Sequence, residues 1–138
     1  MTELTLARKT AFISGSGQNI GRAVAVHLAR LGCNIVVNGS KNEEAASVTA
    51  AQVEAAGARA LITMGDVSHS ASVTEMANAA LHKFGTIDIL VNNAARRPHK
   101  PFLAMTDDDW HDVINTALSG AFYTSRAFLP GMVEQGWG

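Results

Sequence analysis

The sequence predicts a three-layer α/β/α domain, in which helices cover both faces of a doubly wound parallel sheet. Three observations lead to this prediction. Apolar runs of strand length alternate with amphipathic runs of helix length. A glycine-rich turn over residues 15–21 joins the first strand to the first helix. Residues 87–91 are almost continuously apolar, as in a strand covered on both faces. We therefore expect one domain over residues 1–138, with right-handed crossovers.

The first unit is an apolar run from residue 10 that enters a turn with three glycines, Gly15, Gly17 and Gly21. Glycines permit positive φ angles and let a diphosphate approach the backbone, while the N–H groups that begin the next helix attract an anion. Arg22 and Ala23 stand where a P-loop needs lysine and serine or threonine, which excludes a phosphoryl-transfer loop. The alternative is a helix entry whose glycines meet no ligand. The pattern predicts that one apolar face of this helix packs on the sheet: Ile20, Val24, Leu28 and Leu31.

Three more strands follow, separated by helices. The pattern predicts strands at residues 34–37, 58–64 and 87–91, and a helix at 43–56. Another helix opens within residues 66–70, with Ser68 or Ser70 as its cap, and ends at Gly85. A loop is predicted at residues 92–101.

The last predicted helix starts near Trp110. Thr106 and Asp109 resemble a capping box, and the acids at 107–109 suit the positive end of a helix. A divalent metal site is the alternative for these acids, but neighbouring helical residues point in different directions. An amphipathic stripe is predicted to face the core, and Pro130 and Gly131 are predicted to weaken the end of the helix. The stripe consists of Val113, Ile114, Ala117, Leu118, Ala121, Phe122 and Ser125.

The composition limits the classes of binding partner that we expect. The formal net charge is −1, so no broad positive field points to nucleic acid or to a membrane surface. We expect the binding partners to be small molecules or further copies of the same chain, as in a homo-oligomer. Cys33 is the single cysteine, which excludes an internal disulfide, and we expect a buried, inert thiol. No secretion signal or membrane span is apparent, and we expect a cytoplasmic protein.

The glycine turn resembles the T-G-x-x-x-G-x-G loop of the short-chain dehydrogenase/reductase family. The members of this family are NAD(P)-dependent oxidoreductases with a Rossmann-type fold. Gly15, Asn19 and Gly21 occupy the glycine positions of that loop. Ser14 replaces the usual threonine and keeps the hydroxyl. Asn19 replaces the middle glycine, and asparagine enters the left-handed region more readily than most residues.

Ligands of a doubly wound sheet bind beyond the carboxyl ends of the strands, where the strand order reverses. Together with the resemblance, this rule predicts four groups of cofactor-binding residues. They are Gly15, Gly17, Gln18, Asn19, Ile20 and Gly21; Asn38, Gly39, Ser40 and Lys41; Asp66 and Val67; and Asn93, Ala94 and Ala95.

The end of the second predicted strand favours NADP(H) over NAD(H). Residues 38–41 contain no acid to bind the ribose hydroxyls or to repel a 2′-phosphate, and Ser40 and Lys41 offer a hydroxyl and an ammonium group. NAD remains possible, because Lys41 is equally well explained as a solvated loop charge.

The resemblance implies roles for the other groups. Asp66 and Val67 resemble the pair that contacts the adenine, although a helix-capping aspartate is the alternative. Residues 92–95 resemble the family motif N-N-A-G, with Ala95 in place of glycine, which puts Asn93 and Ala94 beside the cofactor ribose and leaves Asn92 to hold the sheet.

The resemblance also suggests a catalytic residue. Asn115, in the helix near Trp110, resembles the asparagine of the family's Asn-Ser-Tyr-Lys set, which supports a proton relay; an exposed polar residue is the alternative. The basic loop of Arg96, Arg97, His99 and Lys100 either attracts an anionic group, such as a phosphopantetheine carrier, or is solvated.

The family's Tyr-x-x-x-Lys pair is absent from these 138 residues. Tyr123 is the single tyrosine, and Ala127 stands four residues after it. We therefore expect a longer natural polypeptide, truncated here before its catalytic Ser/Tyr/Lys region. Two functions remain open: an oxidoreductase that reduces a ketone or 3-oxoacyl carbonyl to an alcohol, or runs the reverse reaction, and a non-catalytic nucleotide-binding or assembly module.

Overall fold

The computed structural model describes residues 5–138, so the first four residues of the predicted domain lie outside the described part. Four strands alternate with helices in that part of the chain. The strands are β1 (Thr10–Ile13), β2 (Asn34–Gly39), β3 (Ala60–Met64) and β4 (Ile89–Val91). The helices are α1 (Asn19–Arg30), α2 (Glu43–Ala55), α3 (Ser70–Phe84), α4 (Asp107–Ile114) and α5 (Gly120–Gln135), with a short 3-10 helix at Phe102–Ala104.

The strands form one parallel sheet in the order β3-β2-β1-β4. After β1 the chain builds outward through β2 and β3, and it then returns to the other side of β1 to form β4. The strand order therefore reverses between β1 and β4, and a ligand crevice is expected beyond the carboxyl ends of these two strands. The predicted doubly wound α/β fold is confirmed.

Alternation along β1 divides the core into two layers. Ala11 and Ile13 belong to the cluster that α1 and α2 cover, whereas Phe12 belongs to the cluster on the opposite face, under α3 and α5. The rings of Phe12 and Phe128 lie 4.9 Å apart between centroids, which joins α5 to the centre of the sheet. Each face is covered by a pair of helices, as the three-layer prediction requires.

The face of α1 that packs on the sheet differs from the predicted one. Its buried residues are Gly21, Ala25 and Ala29, while Ile20 is 72% exposed. Small side chains let the helix approach the backbone of the glycine turn and of β1, and a larger residue at these positions would hold the helix away. Val24 and Leu28 flank this face and pack against the core cluster. Of the three predicted residues that lie within α1, Ile20 is therefore the one for which the prediction is wrong.

The segment after Thr106 begins as predicted. Thr106 and Asp109 form the capping box of α4: the Thr106 hydroxyl accepts from Asp109 N, and the Asp109 carboxylate accepts from Thr106 N. Asp109 also accepts two hydrogen bonds from Lys100 Nζ, at 2.6 and 2.7 Å. The capping interpretation is therefore confirmed.

The rest of this segment differs from the prediction of a single helix. A π-helical turn, Asn115–Ser119, separates α4 from α5, and α5 continues through Pro130 to Gln135. Pro130 and Arg126 are both exposed, so water can hydrate the carbonyl group that the proline leaves without its helical partner. Pro130 therefore does not end the helix, and the prediction that Pro130 and Gly131 weaken its end stays a prediction.

The predicted apolar stripe is also wrong in its orientation. Leu118 and Phe122 are 66% and 57% exposed, and the buried residues recur every four positions instead: Thr116, Gly120, Thr124 and Phe128. A Cβ atom on Gly120 would lie 2.9 Å from Val67 Cγ2, which shows how closely the helix approaches the loop after β3. The close approach at Gly120 leaves no room for a larger side chain.

None of the helices within residues 5–138 has both the length and the apolar character needed to cross a lipid bilayer.

Candidate functional site

A cavity of about 600 Å³ lies at the carboxyl end of the sheet, where the strand order reverses. All fifteen residues predicted from the sequence to bind a cofactor line it, although their contacts with a ligand stay a prediction. The lining also includes six residues that were not among the predicted cofactor-binding residues: Asn42, Ala45, Gly65, Arg96, Arg97 and Thr116.

The amide N–H groups of the glycine turn that remain free lie at the start of α1. The amides of Ser14, Gly15 and Ser16 are already bound, to Val91 O (3.0 Å), Asn38 Oδ1 (3.0 Å) and Asn38 O (2.9 Å). The first N–H groups of α1 have no partner within the helix. An anion would therefore meet the amides at the start of α1, and not the whole turn.

Two residues in the turn have the left-handed backbone that the sequence led us to expect. Gly15 has φ +63° and Asn19 has φ +50°. Asparagine is one of the few residues with a side chain that adopts this region at modest cost. The substitution of Asn19 for the family's middle glycine is therefore compatible with the turn.

Gly21 allows α1 to touch the turn. A Cβ atom at this position would lie 2.7 Å from both Asn93 Nδ2 and Ser16 Cα, and still closer to Gly15 O. Asn93 Nδ2 itself donates to Ser14 O and to Gly15 O, at 3.0 Å each. The Asn93 side chain, from the loop after β4, thus holds the turn in place, and Gly21 leaves the space for it.

Asn38 plays a similar part from β2. The residue is buried, and its Oδ1 accepts from Gly15 N, while Nδ2 donates to Thr63 O at 3.2 Å and to Gly65 O at 3.1 Å. One side-chain amide therefore ties the glycine turn to the loop after β3. Asn38 lines the cavity, but its own polar atoms are used to shape it.

Asp66 lies at the other end of the cavity. Its carboxylate accepts from Ser68 N (2.9 Å) and Ser68 Oγ (2.7 Å), and it pairs with Arg96 Nη2 at 2.9 Å. Partial burial raises the pKa of this carboxyl, but the hydrogen bonds from Ser68 and the charge of Arg96 together outweigh burial and hold the pKa below its usual range. Asp66 is therefore ionised near neutral pH.

The cap of α3 is neither of the two predicted serines. His69 is the residue that precedes the helix, and its side chain makes no capping bond. The hydroxyl of Ser68 donates to the Asp66 carboxylate at 2.7 Å. The prediction of Ser68 or Ser70 as the cap is wrong, because Ser68 lies one residue before the cap position and Ser70 is the first residue of the helix.

Two of the four basic residues in the loop after β4, Arg96 and Lys100, are paired with acids. Arg96 bridges Asp66 and Asp112, with Nη1 3.6 Å from the latter, and Lys100 binds Asp109. Arg96 and Arg97 line both the large cavity and a smaller one of about 330 Å³, which Pro98, Asp109, Asp112 and Val113 complete. The ion pairs reduce the attraction of this loop for an anion.

Asn115 is not among the residues that line the cavity. It begins the π-helical turn, is exposed, and accepts a long hydrogen bond from Ser119 Oγ at 3.4 Å. The next residue, Thr116, is buried and lines the cavity, and its hydroxyl has no partner in the described part of the chain. Sequence reasoning missed Thr116; the four-residue spacing with Gly120, Thr124 and Phe128 is the signal that could have found it.

Asn92, the first residue after β4, holds helix α5 against the sheet. Asn92 Oδ1 accepts from Thr124 Oγ1 at 2.6 Å, which fastens α5 to the end of β4. Asn92 was expected to hold the sheet together, and the contact found instead joins a helix to the sheet.

Comparison with known proteins gives the same assignment for nearly the whole chain. Residues 9–138 match the short chain dehydrogenase family. The chain is 39% identical to a short chain dehydrogenase/reductase of Aspergillus oryzae over 99% of its own length and 52% of that protein. It is 32% identical to a 3-oxoacyl-(acyl-carrier-protein) reductase of Staphylococcus epidermidis over 92% of its own length and 52% of that protein.

Solved structures have the same fold. A metagenomic short-chain oxidoreductase in complex with NADP superposes with a TM-score of 0.90 at 30% identity, over 97% of this chain and 61% of that one. A putative short-chain alcohol dehydrogenase of Sinorhizobium meliloti superposes with a TM-score of 0.88 at 29% identity, over 96% of this chain and 52% of that one. The chain thus spans about half the length of the curated relatives that it matches.

Proposed function

The chain belongs to the short-chain dehydrogenase family, and we propose that it forms the coenzyme-binding half of an NAD(P)(H)-dependent oxidoreductase. The observation that carries this proposal is the cavity at the strand-order reversal, which all fifteen predicted residues line. The first amides of α1 have no partner within the helix and are available to a diphosphate, and the turn packs closely on the loop after β4, since a Cβ on Gly15 would lie 3.0 Å from Ala94 Cα. A structural neighbour at 30% identity was solved with NADP.

We propose NADP(H) as the preferred coenzyme. Ser40 and Lys41 line the cavity just beyond β2, and residues 38–42 contain no carboxylate that would repel a 2′-phosphate. A lysine and a hydroxyl are suitable donors for a phosphate group. Asp66 and Val67 would meet the adenine, and Asn93, Ala94 and Ala95 would lie beside the ribose.

The reaction that this site would serve is reduction of a carbonyl to an alcohol, or the reverse. A bound coenzyme would supply the hydride for reduction or accept it in the reverse reaction, while the residues of this chain would bind the coenzyme and orient it. The relative of Staphylococcus epidermidis is named for a 3-oxoacyl group, and we propose a ketone or 3-oxoacyl substrate. We retain Asn115 as a proposed member of the proton relay, although its side chain lies outside the cavity lining.

The alternative is a nucleotide-binding or assembly module without turnover. The absence of Tyr-x-x-x-Lys from these 138 residues is the observation that favours it, since Ala127 stands four residues after Tyr123. NADPH oxidation that depends on an added ketone or 3-oxoacyl thioester would support the oxidoreductase, and tight NADPH binding without such turnover would support the module.

The coenzyme preference is tested by binding. We expect the dissociation constant of NADPH to be lower than that of NADH. Lys41→Ala should raise it for NADPH about tenfold and leave it unchanged for NADH, because only NADPH carries the phosphate. Lys83→Ala, an exposed residue in the last turn of α3, is the matched control. Equal or tighter binding of NADH would contradict the preference.

We also propose that the protein is cytoplasmic and associates with itself. The apolar side chains of Leu118, Phe122 and Val133 are 66%, 57% and 74% exposed, which is unusual for an unpaired helix face. Sedimentation equilibrium of the purified protein would test the association, and a monomer at micromolar concentration would contradict it.

A further inference from the structure

Arg22 connects three parts of the coenzyme site. It follows Gly21 directly, and its half-buried side chain extends from α1 toward α2. Nε donates to Thr49 Oγ1 at 2.9 Å, and Nη2 donates to Gly17 O at 2.6 Å and to Ala45 O at 3.3 Å. The guanidinium group therefore links the glycine turn to the first turns of α2.

The acceptors of Arg22 are all neutral. None of the ion pairs within residues 5–138 includes Arg22, so no carboxylate offsets its charge. An arginine is always protonated in a protein. The positive charge therefore remains beside Gly17, a residue of the cavity lining.

The contact with Gly17 O orients a peptide group. Gly17 O accepts from Arg22 Nη2 and from Thr49 Oγ1 at 3.1 Å, so this carbonyl oxygen points toward α2. In a planar trans peptide the N–H of the next residue points the opposite way. The amide of Gln18 is therefore directed away from α2. Without Arg22 the same peptide could rotate and present its oxygen to an anion.

We propose that Arg22 is a positioning residue for the diphosphate of the coenzyme. Its fork of donors holds the Gly17 carbonyl against α2 and keeps the Gln18 amide available to the anion, and its unpaired charge adds to the attraction. This inference rests on the proposed coenzyme binding. It assigns to Arg22 a role in binding that is specific to the phosphates and separate from the adenosine.

The test compares three ligands on the purified protein: NADPH, ADP and adenosine. Arg22→Met removes the charge and the donors but keeps an extended side chain. We expect it to raise the dissociation constants of NADPH and ADP about tenfold or more and to leave that of adenosine within about twofold. Arg22→Lys keeps the charge without the fork and should recover only part of the affinity.

Two further variants make the test robust. Thr49→Val removes one of the two donors to Gly17 O and should raise the dissociation constant of ADP about threefold. Arg30→Met is the matched control: Arg30 is exposed in the last turn of the same helix, does not line the cavity, and should bind all three ligands as the wild type does. Circular dichroism would verify that each variant is folded.

The outcomes separate this inference from the proposed function. A wild-type protein that binds neither NADPH nor ADP would overturn both. The role of Arg22 alone would be overturned if the wild type binds NADPH and Arg22→Met binds ADP with a dissociation constant within twofold of the wild-type value. If Arg22→Met lost affinity for adenosine and for ADP equally, the role of the residue would be merely structural. If Arg22→Lys recovered the full affinity, the charge would act without the pair of donors. Each of these results would also overturn the positioning role.

Discussion

The contact between α1 and the glycine turn predicts a large effect for one added methyl group. In Gly21→Ala the new Cβ atom would lie 2.7 Å from Asn93 Nδ2 and from Ser16 Cα, and still closer to Gly15 O. Two of these three neighbours are backbone atoms, so a rotation of one side chain cannot relieve the clash. Gly21 does not have a positive φ angle, and the substitution therefore tests close approach alone.

The expected cost follows from two contributions. Forcing an extra carbon into a packed contact costs about 1–3 kcal/mol. Displacing Asn93 would also weaken its hydrogen bonds to Ser14 O and Gly15 O, each worth about 0.5–1.5 kcal/mol. We expect the free energy of unfolding to fall by about 2–5 kcal/mol, which is a large part of the stability of a small domain.

Urea denaturation of the purified protein measures this change, and NADPH titration measures the accompanying loss of binding. Gly131→Ala is the control: Gly131 lies within α5, and an added Cβ would have no neighbour within 4 Å. It should raise stability by about 0.5–1 kcal/mol, since alanine favours a helix. If Gly21→Ala were as stable as the wild type and bound NADPH equally well, the close approach of α1 to the turn would be refuted.

Three further predictions concern separate features. Asn19→Ala should lower the free energy of unfolding by about 1 kcal/mol in urea denaturation and Asn19→Gly should not, because φ is +50° here; equal effects would contradict this reading. Hydrogen bonds from Lys100 Nζ and from the Thr106 backbone lower the pKa of Asp109 from 3.8 to about 2. Its stabilising contribution should thus be complete above about pH 4 and be lost as the pH falls toward 2; NMR titration of the carboxyl carbon would detect a normal pKa instead. Burial, assisted by the charge of Asp88, raises the pKa of Cys33 to about 11, so a disulfide reagent at pH 8 should label it only after unfolding; rapid labelling of the native protein would contradict this.

The fold and the lining of the cavity were predictable because both follow from the positions of strand ends. The residues after each predicted strand had to converge at one edge of the sheet once the strands were parallel. The strand bounds differed by a few residues: β2 extends to Gly39, and β4 starts at Ile89 instead of residue 87. Such shifts do not move a residue from one edge of the sheet to the other, so the candidate site was insensitive to them.

The helix faces were less predictable, because hydrophobicity was a poor guide where the backbone comes close. Ile20 and Phe122 are apolar and were expected in the core, yet the exposed Ile20 is followed by the buried Gly21, and Gly120 is buried two residues before the exposed Phe122. The distance between a helix and its neighbouring loop selects small residues, and a one-dimensional pattern of hydrophobicity does not report that distance. The ion pair between Arg96 and Asp66 was missed for a related reason, since thirty residues separate its partners.

The polar residues of the site divide into those that shape the cavity and those that remain available to a ligand. Asn38 and Asn93 use their side-chain amides to bind backbone groups of the glycine turn and of the loop after β3, and Arg22 binds the carbonyl of Gly17. A turn with few side chains has little means of fixing its own peptide groups, so neighbouring elements must hold them. Preorganisation of this kind lowers the entropy that a ligand must overcome on binding. The affinity of the turn for a diphosphate should therefore depend on side chains from β2, from the loop after β4 and from α1 that need not touch the ligand.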